Sequence, residues 1–124
     1  MRIYVDTNVY LDYFLNREKS KYAFKIFKRT MNCHYHIILS DHVSSELTNN
    51  LDYSKMQFLF KILKHKIILI KLENKDEEKA KLLPTHYADA LHIVLAQKGD
   101  AELIVTNNIK DFQSIFESKR PEDL

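Results

Sequence analysis

The apolar positions along the chain follow two periods, and their alternation sets the fold class. Residues 2–5 (Arg-Ile-Tyr-Val) are a short β-prone run that stops at Asp6. Residues 8–15 and 20–32 read as helices, and in the second Ala23, Phe24, Phe27 and Met31 recur at helical spacing. Residues 35–39 (Tyr-His-Ile-Ile-Leu) form a second strand, closed by Ser40-Asp41. Ser40 then suits the N-cap of a helix over 41–51. A further helix over 54–65 carries Met56, Leu59, Phe60 and Leu63, and residues 67–72 make a third strand. The charged stretch 73–81 predicts a short solvated helix. Pro84 and Thr85 open a longer one at 85–98, with Gly99 as its C-cap. Residues 102–105 are a fourth strand, Thr106-Asn107-Asn108 follows it, and a last helix is predicted over 109–117. Strands alternating with helices imply βαβ units around a parallel sheet. The near-continuous apolar character of the strands implies burial on both faces.

Composition narrows the function classes. At 124 residues the chain is the size of one domain. Its single glycine excludes a P-loop and a dinucleotide-binding turn, both of which need several glycines close to phosphate. The single cysteine, Cys33, excludes an internal disulfide and a thiolate-rich zinc site. No apolar stretch approaches the ~18 residues of a membrane span. The opening MRIYVDTN has no signal-peptide core, so a cytoplasmic protein without membrane attachment is expected. A net charge of +2 permits an anionic partner without requiring one.

Open parallel sheets bind ligands beyond the carboxyl ends of their strands. Asp6 and Asn8 follow the first strand, Ser40 and Asp41 the second, and Thr106, Asn107 and Asn108 the fourth. Each is also a good helix N-cap, the plainer role for any one of them. Two acids resist that account. Glu46 lies inside its helix, at the edge of the Val43, Leu47, Leu51 stripe, although a solvated boundary position also fits it. Asp89 stands in the first turns of a helix that is apolar nearly all round, where an ionised group calls for a partner or a metal. His92, three residues on, either supports that carboxylate or packs as a core histidine; a supporting role fits better than a metal-ligand role. Carboxylates gathered in one pocket repel unless a cation neutralises them, and an all-oxygen set favours Mg2+ or Mn2+.

Four fragments now stand in order: Val5-Asp6-Thr7-Asn8-Val9-Tyr10-Leu11-Asp12-Tyr13-Phe14, Ser40-Asp41-His42-Val43-Ser44-Ser45-Glu46-Leu47, Asp89-Ala90-Leu91-His92, and Leu103 through Phe112. Together they resemble PIN-domain ribonucleases, especially the VapC toxins of toxin–antitoxin pairs, over essentially the whole chain. The resemblance implies a three-layer α/β/α fold with a parallel sheet of four to five strands, as a single domain over residues 1–124. It implies a Mg2+- or Mn2+-dependent endoribonuclease with an RNA substrate, a cognate antitoxin and a homodimeric state. Carried over by residue, Asp6, Glu46 and Asp89 are the metal-binding acids, Thr106 supports the site and Asn8 orients Asp6. Where the family pattern is Thr-x-Asp, this chain has Asn108, and Asp111 in the next turn is the candidate replacement for the missing charge. Lys21, Lys25 and Lys28 form a helix stripe that is either an RNA contact or an ordinary solvated face. Tyr10, Tyr13, Phe14, Tyr53, Phe58 and Phe60 are candidates for the dimer surface.

Two other functions compete. A phosphoacceptor receiver domain has a similar length and fold class. It needs an Asp ending the middle strand and a Lys after a late one, and neither is present. A PIN domain with degraded catalysis, acting as an RNA-binding or protein-interaction module, is compatible with Asn108.

Overall fold

Each of the four predicted strand segments contributes a strand to one parallel sheet. The computed structural model describes residues 1–124. In chain order the elements are β1 (Arg2–Val5), α1 (Thr7–Phe14), α2 (Ser20–Met31), β2 (His36–Ser40), α3 (Asp41–Thr48) and α4 (Tyr53–Leu63). Then come β3 (Ile67–Ile70), α5 (Asn74–Lys81), α6 (Tyr87–Lys98), β4 (Leu103–Val105), α7 (Ile109–Phe112) and β5 (Ser118–Lys119). The five strands lie in the order β3-β2-β1-β4-β5, with Tyr4 of β1 opposite Ile38 of β2 and Ile104 of β4. This is the α/β architecture that the alternating pattern predicts.

The strand order positions the site. From β1 the chain steps outward to β2 and β3, then returns across the sheet to β4 on the other side of β1. The order therefore reverses between β1 and β4, and ligand crevices open at such reversals, beyond the carboxyl ends of the strands. Asp6 and Thr106 are the residues that follow those two strands.

Burial explains the central strands. Ile3, Tyr4, Val5, Ile37, Ile38, Leu103, Ile104 and Val105 are all buried, so both faces of β1, β2 and β4 are covered. The edge strand β3 departs from this expectation, because no neighbour covers the outer side of Leu69, which is 77% exposed. Helix α6 packs on the face carrying Tyr4 and Ile38, and its buried Ala90, Leu91, Ile93, Val94, Leu95 and Ala96 explain its apolar circumference. Gly99 is its C-cap, as predicted, but the reason is space. A Cβ there would lie 2.8 Å from Ile38 Cγ2, and the left-handed conformation falls to Asp100 instead, at φ 57°. No helix is long and apolar enough to cross a membrane.

Four further details differ from the sequence-based expectation. The long helix begins at Tyr87 rather than 85, because the Thr85 hydroxyl donates to the Asp111 carbonyl and ties that segment to α7. The last helix is one turn, not nine residues. Beyond it the chain bends so that Glu117 and Lys119 accept from Ile104 N and Thr106 N, which covers the open edge of β4 with β5. The charged α5 is not wholly solvated, since Asp76 is 2% exposed and sits under Lys98 of α6. Tyr10 is fully buried and stacks on Phe27, which removes it from any subunit surface; Phe60 packs edge-on against it.

Candidate active site

Capping, the plainer role for polar residues at strand ends, holds for some of them and fails for the acid at the centre. Ser40 caps α3, its Oγ accepting from Val43 N at 3.1 Å. Asp6 occupies the N-cap position of α1, yet its side chain caps nothing. Instead the carboxylate turns toward β4, where the Thr106 hydroxyl donates to Asp6 Oδ2 at 2.8 Å. That hydroxyl in turn accepts from Asn108 N at 3.0 Å, so its single proton must point at Asp6. The topological reversal is thus bridged by a directed hydrogen bond onto a carboxylate that is only 5% exposed.

Glu46 reaches the same place from α3. Its Oε1 accepts from the Thr7 hydroxyl at 2.6 Å and lies 3.1 Å from His92 Nε2. His92 Nε2 is also 3.6 Å from Asp6 Oδ1, so the imidazole stands between the two carboxylates. Its other nitrogen, Nδ1, is 2.8 Å from the Tyr4 hydroxyl, which is 2.9 Å from Ser40 Oγ. Partial burial alone raises the Glu46 carboxyl. The hydrogen bonds from His92 and Thr7 outweigh it and bring the carboxyl down to about 2. Burial pushes the Tyr4 hydroxyl well above its ordinary range, keeping it protonated within this chain of contacts.

Asp89 approaches from the first turn of α6 and has no such compensation. Burial, then the charges of Asp111 and Asp6, hold its carboxyl above the usual carboxylate range. It is half-buried rather than buried. Asp111 on α7 therefore adjoins Asp89, with its backbone carbonyl fixed by Thr85. Asn108 is exposed, and its side chain makes no cap bond. A polar groove of about 360 Å3 runs beside Asp111, lined by Pro84, Thr85, His86, Lys110 and Ser114.

The sequence-predicted residues thus divide. Asp6, Glu46, Thr106 and His92 are joined by direct contacts, and Asp89 and Asp111 share their electrostatic field. Asn8 is exposed and makes no side-chain hydrogen bond to Asp6. Lys21, Lys25 and Lys28 are exposed on α2 and pair with none of the acids. Two residues were not singled out from the sequence. Thr7 orients Glu46, and its only signal was its place beside Asp6. His42 lies one turn before Glu46 on α3, with Nε2 3.6 Å from Glu46 Oε1 and its ring 4.7 Å from the His92 ring. Burial and the nearness of His92 lower the His42 pKa, which favours the neutral ring.

The family model for the PIN domain matches residues 2–110. The chain belongs to the PIN domain family. Solved structures carry the same PIN fold. A VapBC2 complex from Rickettsia felis, bound to a DNA fragment from its promoter, matches with a TM-score of 0.68 at 19% identity, covering 97% of this chain and 98% of that one. A toxin–antitoxin complex from Klebsiella pneumoniae gives 0.68 at 22% identity, over 96% and 97% of the two chains. VapBC-1 from nontypeable Haemophilus influenzae gives 0.64 at 16% identity, over 98% and 99%. No functionally curated protein matches the sequence. Within this PIN domain, the donor set at the sheet's carboxyl edge suits a divalent cation. It comprises Asp6 between β1 and α1, Glu46 on α3 and Asp89 on α6, with no lysine or arginine paired to any of them.

Proposed function

We propose that this PIN domain, comprising residues 1–124 as one unit, is a Mg2+- or Mn2+-dependent endoribonuclease and the VapC-like toxin of a toxin–antitoxin pair, acting on cytoplasmic RNA. The observation that carries this reading is the buried Asp6 carboxylate, held by Thr106 beside Glu46 and within the field of Asp89, with no fixed cation to offset the charge. Asp6, Glu46 and Asp89 would hold the ion. A bound Mg2+ or Mn2+ supplies Lewis-acid activation of water and stabilises charge on the leaving oxygen of a phosphodiester. The chain's own residues do the positioning. Thr106 fixes Asp6 Oδ2 and leaves Oδ1 without a hydrogen bond, 3.6 Å from His92 Nε2; Thr7 and His92 fix Glu46, and Thr85 anchors the turn that carries Asp111. The groove beside Asp111 is lined mainly by polar groups, Lys110 and His86 among them, which supports a phosphate backbone as the occupant. By resemblance to the family, the products would carry 5′-phosphate and 3′-hydroxyl ends.

The structural neighbours named as toxin–antitoxin complexes support an antitoxin partner. An apolar groove of about 460 Å3 between α1 and α4, lined by Tyr13, Phe14, Lys55, Phe58 and Leu59, offers a protein partner a surface that includes none of the acids Asp6, Glu46 and Asp89. Exposed Tyr53 and Phe58 keep a two-fold dimer in the proposal, and a dimer mass by light scattering is the expected result.

The test is cleavage of a mixed RNA substrate by the purified chain. Activity is expected to vanish with EDTA and to return with Mg2+ or Mn2+. Activity that persists after chelation would point to metal-free chemistry. Absence of cleavage with either ion, alongside retained RNA or protein binding, would favour the second reading, an interaction module, which Asn108 supports by lacking a carboxylate where the family carries one.

A further inference from the structure

The acidic site uses His92 only to hold Glu46 and leaves His42, one turn away, without a role. His42 and Glu46 on α3 and His92 on α6 each offer one ligand atom, and the three atoms all lie within 4.8 Å of one another. A four-coordinate ion with bonds of about 2.0–2.1 Å needs its ligand atoms roughly 3.3 Å apart. Two of the three separations are already close to that, at 3.1 Å from Glu46 to His92 and 3.6 Å from Glu46 to His42. His42 Nε2 is buried and has no hydrogen-bond partner, a costly state for an imidazole nitrogen unless something else engages it.

The surroundings resemble the support that metal-binding histidines require. Such a histidine donates its second ring N–H to a fixed acceptor, which sets the tautomer. His92 Nδ1 is 2.8 Å from the Tyr4 hydroxyl, and that hydroxyl is 2.9 Å from Ser40 Oγ. With the proton on Nδ1, Tyr4 accepts it and directs its own proton to Ser40, leaving the Nε2 lone pair facing Glu46 and His42. The reverse polarity along the same chain places the proton on Nε2, where it is donated to Glu46. The contact therefore serves both the empty and the occupied state without any movement of heavy atoms in Tyr4 or Ser40.

We propose that His42, Glu46 and His92 form a second metal site, selective for Zn2+-class transition ions, which shares the Glu46 carboxylate with the acidic site. Two nitrogens and one oxygen, with a fourth position open to water, match borderline ions and disfavour Mg2+, which prefers oxygen. The site stands on its own geometry. Its consequence, competition between Zn2+ and Mn2+ for Glu46, rests on the nuclease reading.

Cobalt is the probe. Metal-free full-length chain is titrated with Co2+ and read by visible absorption, where four-coordinate Co2+ absorbs strongly and six-coordinate, carboxylate-bound Co2+ only weakly. An intense band saturating at one Co2+ per chain is expected in the parent and in Asp89→Asn. Equimolar Zn2+ should abolish it, and excess Mg2+ should not. His42→Gln should lose the band and weaken Zn2+ binding by more than the roughly 10–100-fold typical of outer-shell losses. His42→Cys should restore it with an added thiolate-to-cobalt charge-transfer band, a signature that a purely structural residue would not produce. A weak six-coordinate spectrum in the parent, or an intense one unchanged by both His42 substitutions, would overturn the proposal. Cleavage with Mn2+ is measured separately without zinc. Its failure would defeat the nuclease reading and leave the cobalt result standing.

Discussion

Asp76 and Asp6 are both buried acids, one 2% and the other 5% exposed, and the fold treats them in opposite ways. At the seam between α5 and α6, Asp76 accepts from Lys98 Nζ at 2.8 Å and from Glu73 N at 2.9 Å, closing a capping box. Lys98 also reaches Glu73 Oε1 and the Lys71 carbonyl, so every nearby negative group has a partner. At the carboxyl edge of the sheet, Asp6 receives one hydroxyl, from Thr106, and its nearest nitrogen that can carry charge is His92 at 3.6 Å. Beside it Glu46 is stabilised as an anion while Asp89 is destabilised as one. The chain can plainly bury a carboxylate beside a lysine and does so at α5. At Asp6 it does not, and this unpaired charge is what the proposed cation would offset.

Opposite responses to the same substitution sharpen this contrast most. Asp6→Asn is expected to reduce RNA cleavage to background while leaving the fold intact, and to hold or raise the melting temperature in metal-free buffer, since it removes a repelling charge. Asp76→Asn should do the reverse, leaving cleavage near the parent level. By weakening the cap it should cost about 1 kcal/mol, on the order of 4 °C in melting temperature. Equal destabilisation by the two substitutions, read by thermal denaturation, would erase the distinction.

The two carboxylates flanking Asp6 divide by pH. Glu46 has a folded pKa below its unfolded one, so its contribution to stability is complete above about pH 4.5 and is lost as pH falls toward about 2. Asp89 has a raised folded pKa, so its ionisation subtracts stability as pH rises through that value. Glu46→Gln should therefore flatten the acid limb of a stability–pH curve. Asp89→Asn should stabilise the metal-free protein at neutral pH and lose that advantage in acid. Denaturant unfolding across the range checks both signs.

The smallest effect is expected at the rim. Asn108→Asp adds a carboxylate beside the Thr106 turn and should shift the Mn2+ activation midpoint to lower concentration. Asp111→Asn should shift it upward, because hard ions are held partly by ligand charge. Unchanged midpoints in both would leave a site of Asp6, Glu46 and Asp89 alone.

Much of this was legible in the sequence, for identifiable reasons. The central strands are buried on both faces, so their apolar runs are unbroken, and Ser40 is followed by the helix that it caps. Asp89 drew notice because an acid interrupts a helix with no polar face. Other features depended on contacts between distant segments. The strand order follows from the crossing of α5 and α6, which no local pattern encodes. The two-residue β5 exists because β4 has an open edge, and the neighbourhood of Ser118 and Lys119 carries no strand signal. Asp76 was hidden within a charged run whose partner, Lys98, lies one helix later. His42 and His92 are fifty positions apart, and only the packing of α3 beside α6 joins them.

Calorimetric titration of Mn2+ into the metal-free parent and into Asp6→Asn bears most directly on the central claim that the sheet edge is left for a cation to complete. The parent should show saturable binding, and Asp6→Asn should lose it while keeping the parent's far-ultraviolet spectrum. Equal Mn2+ binding by the two proteins would contradict the account.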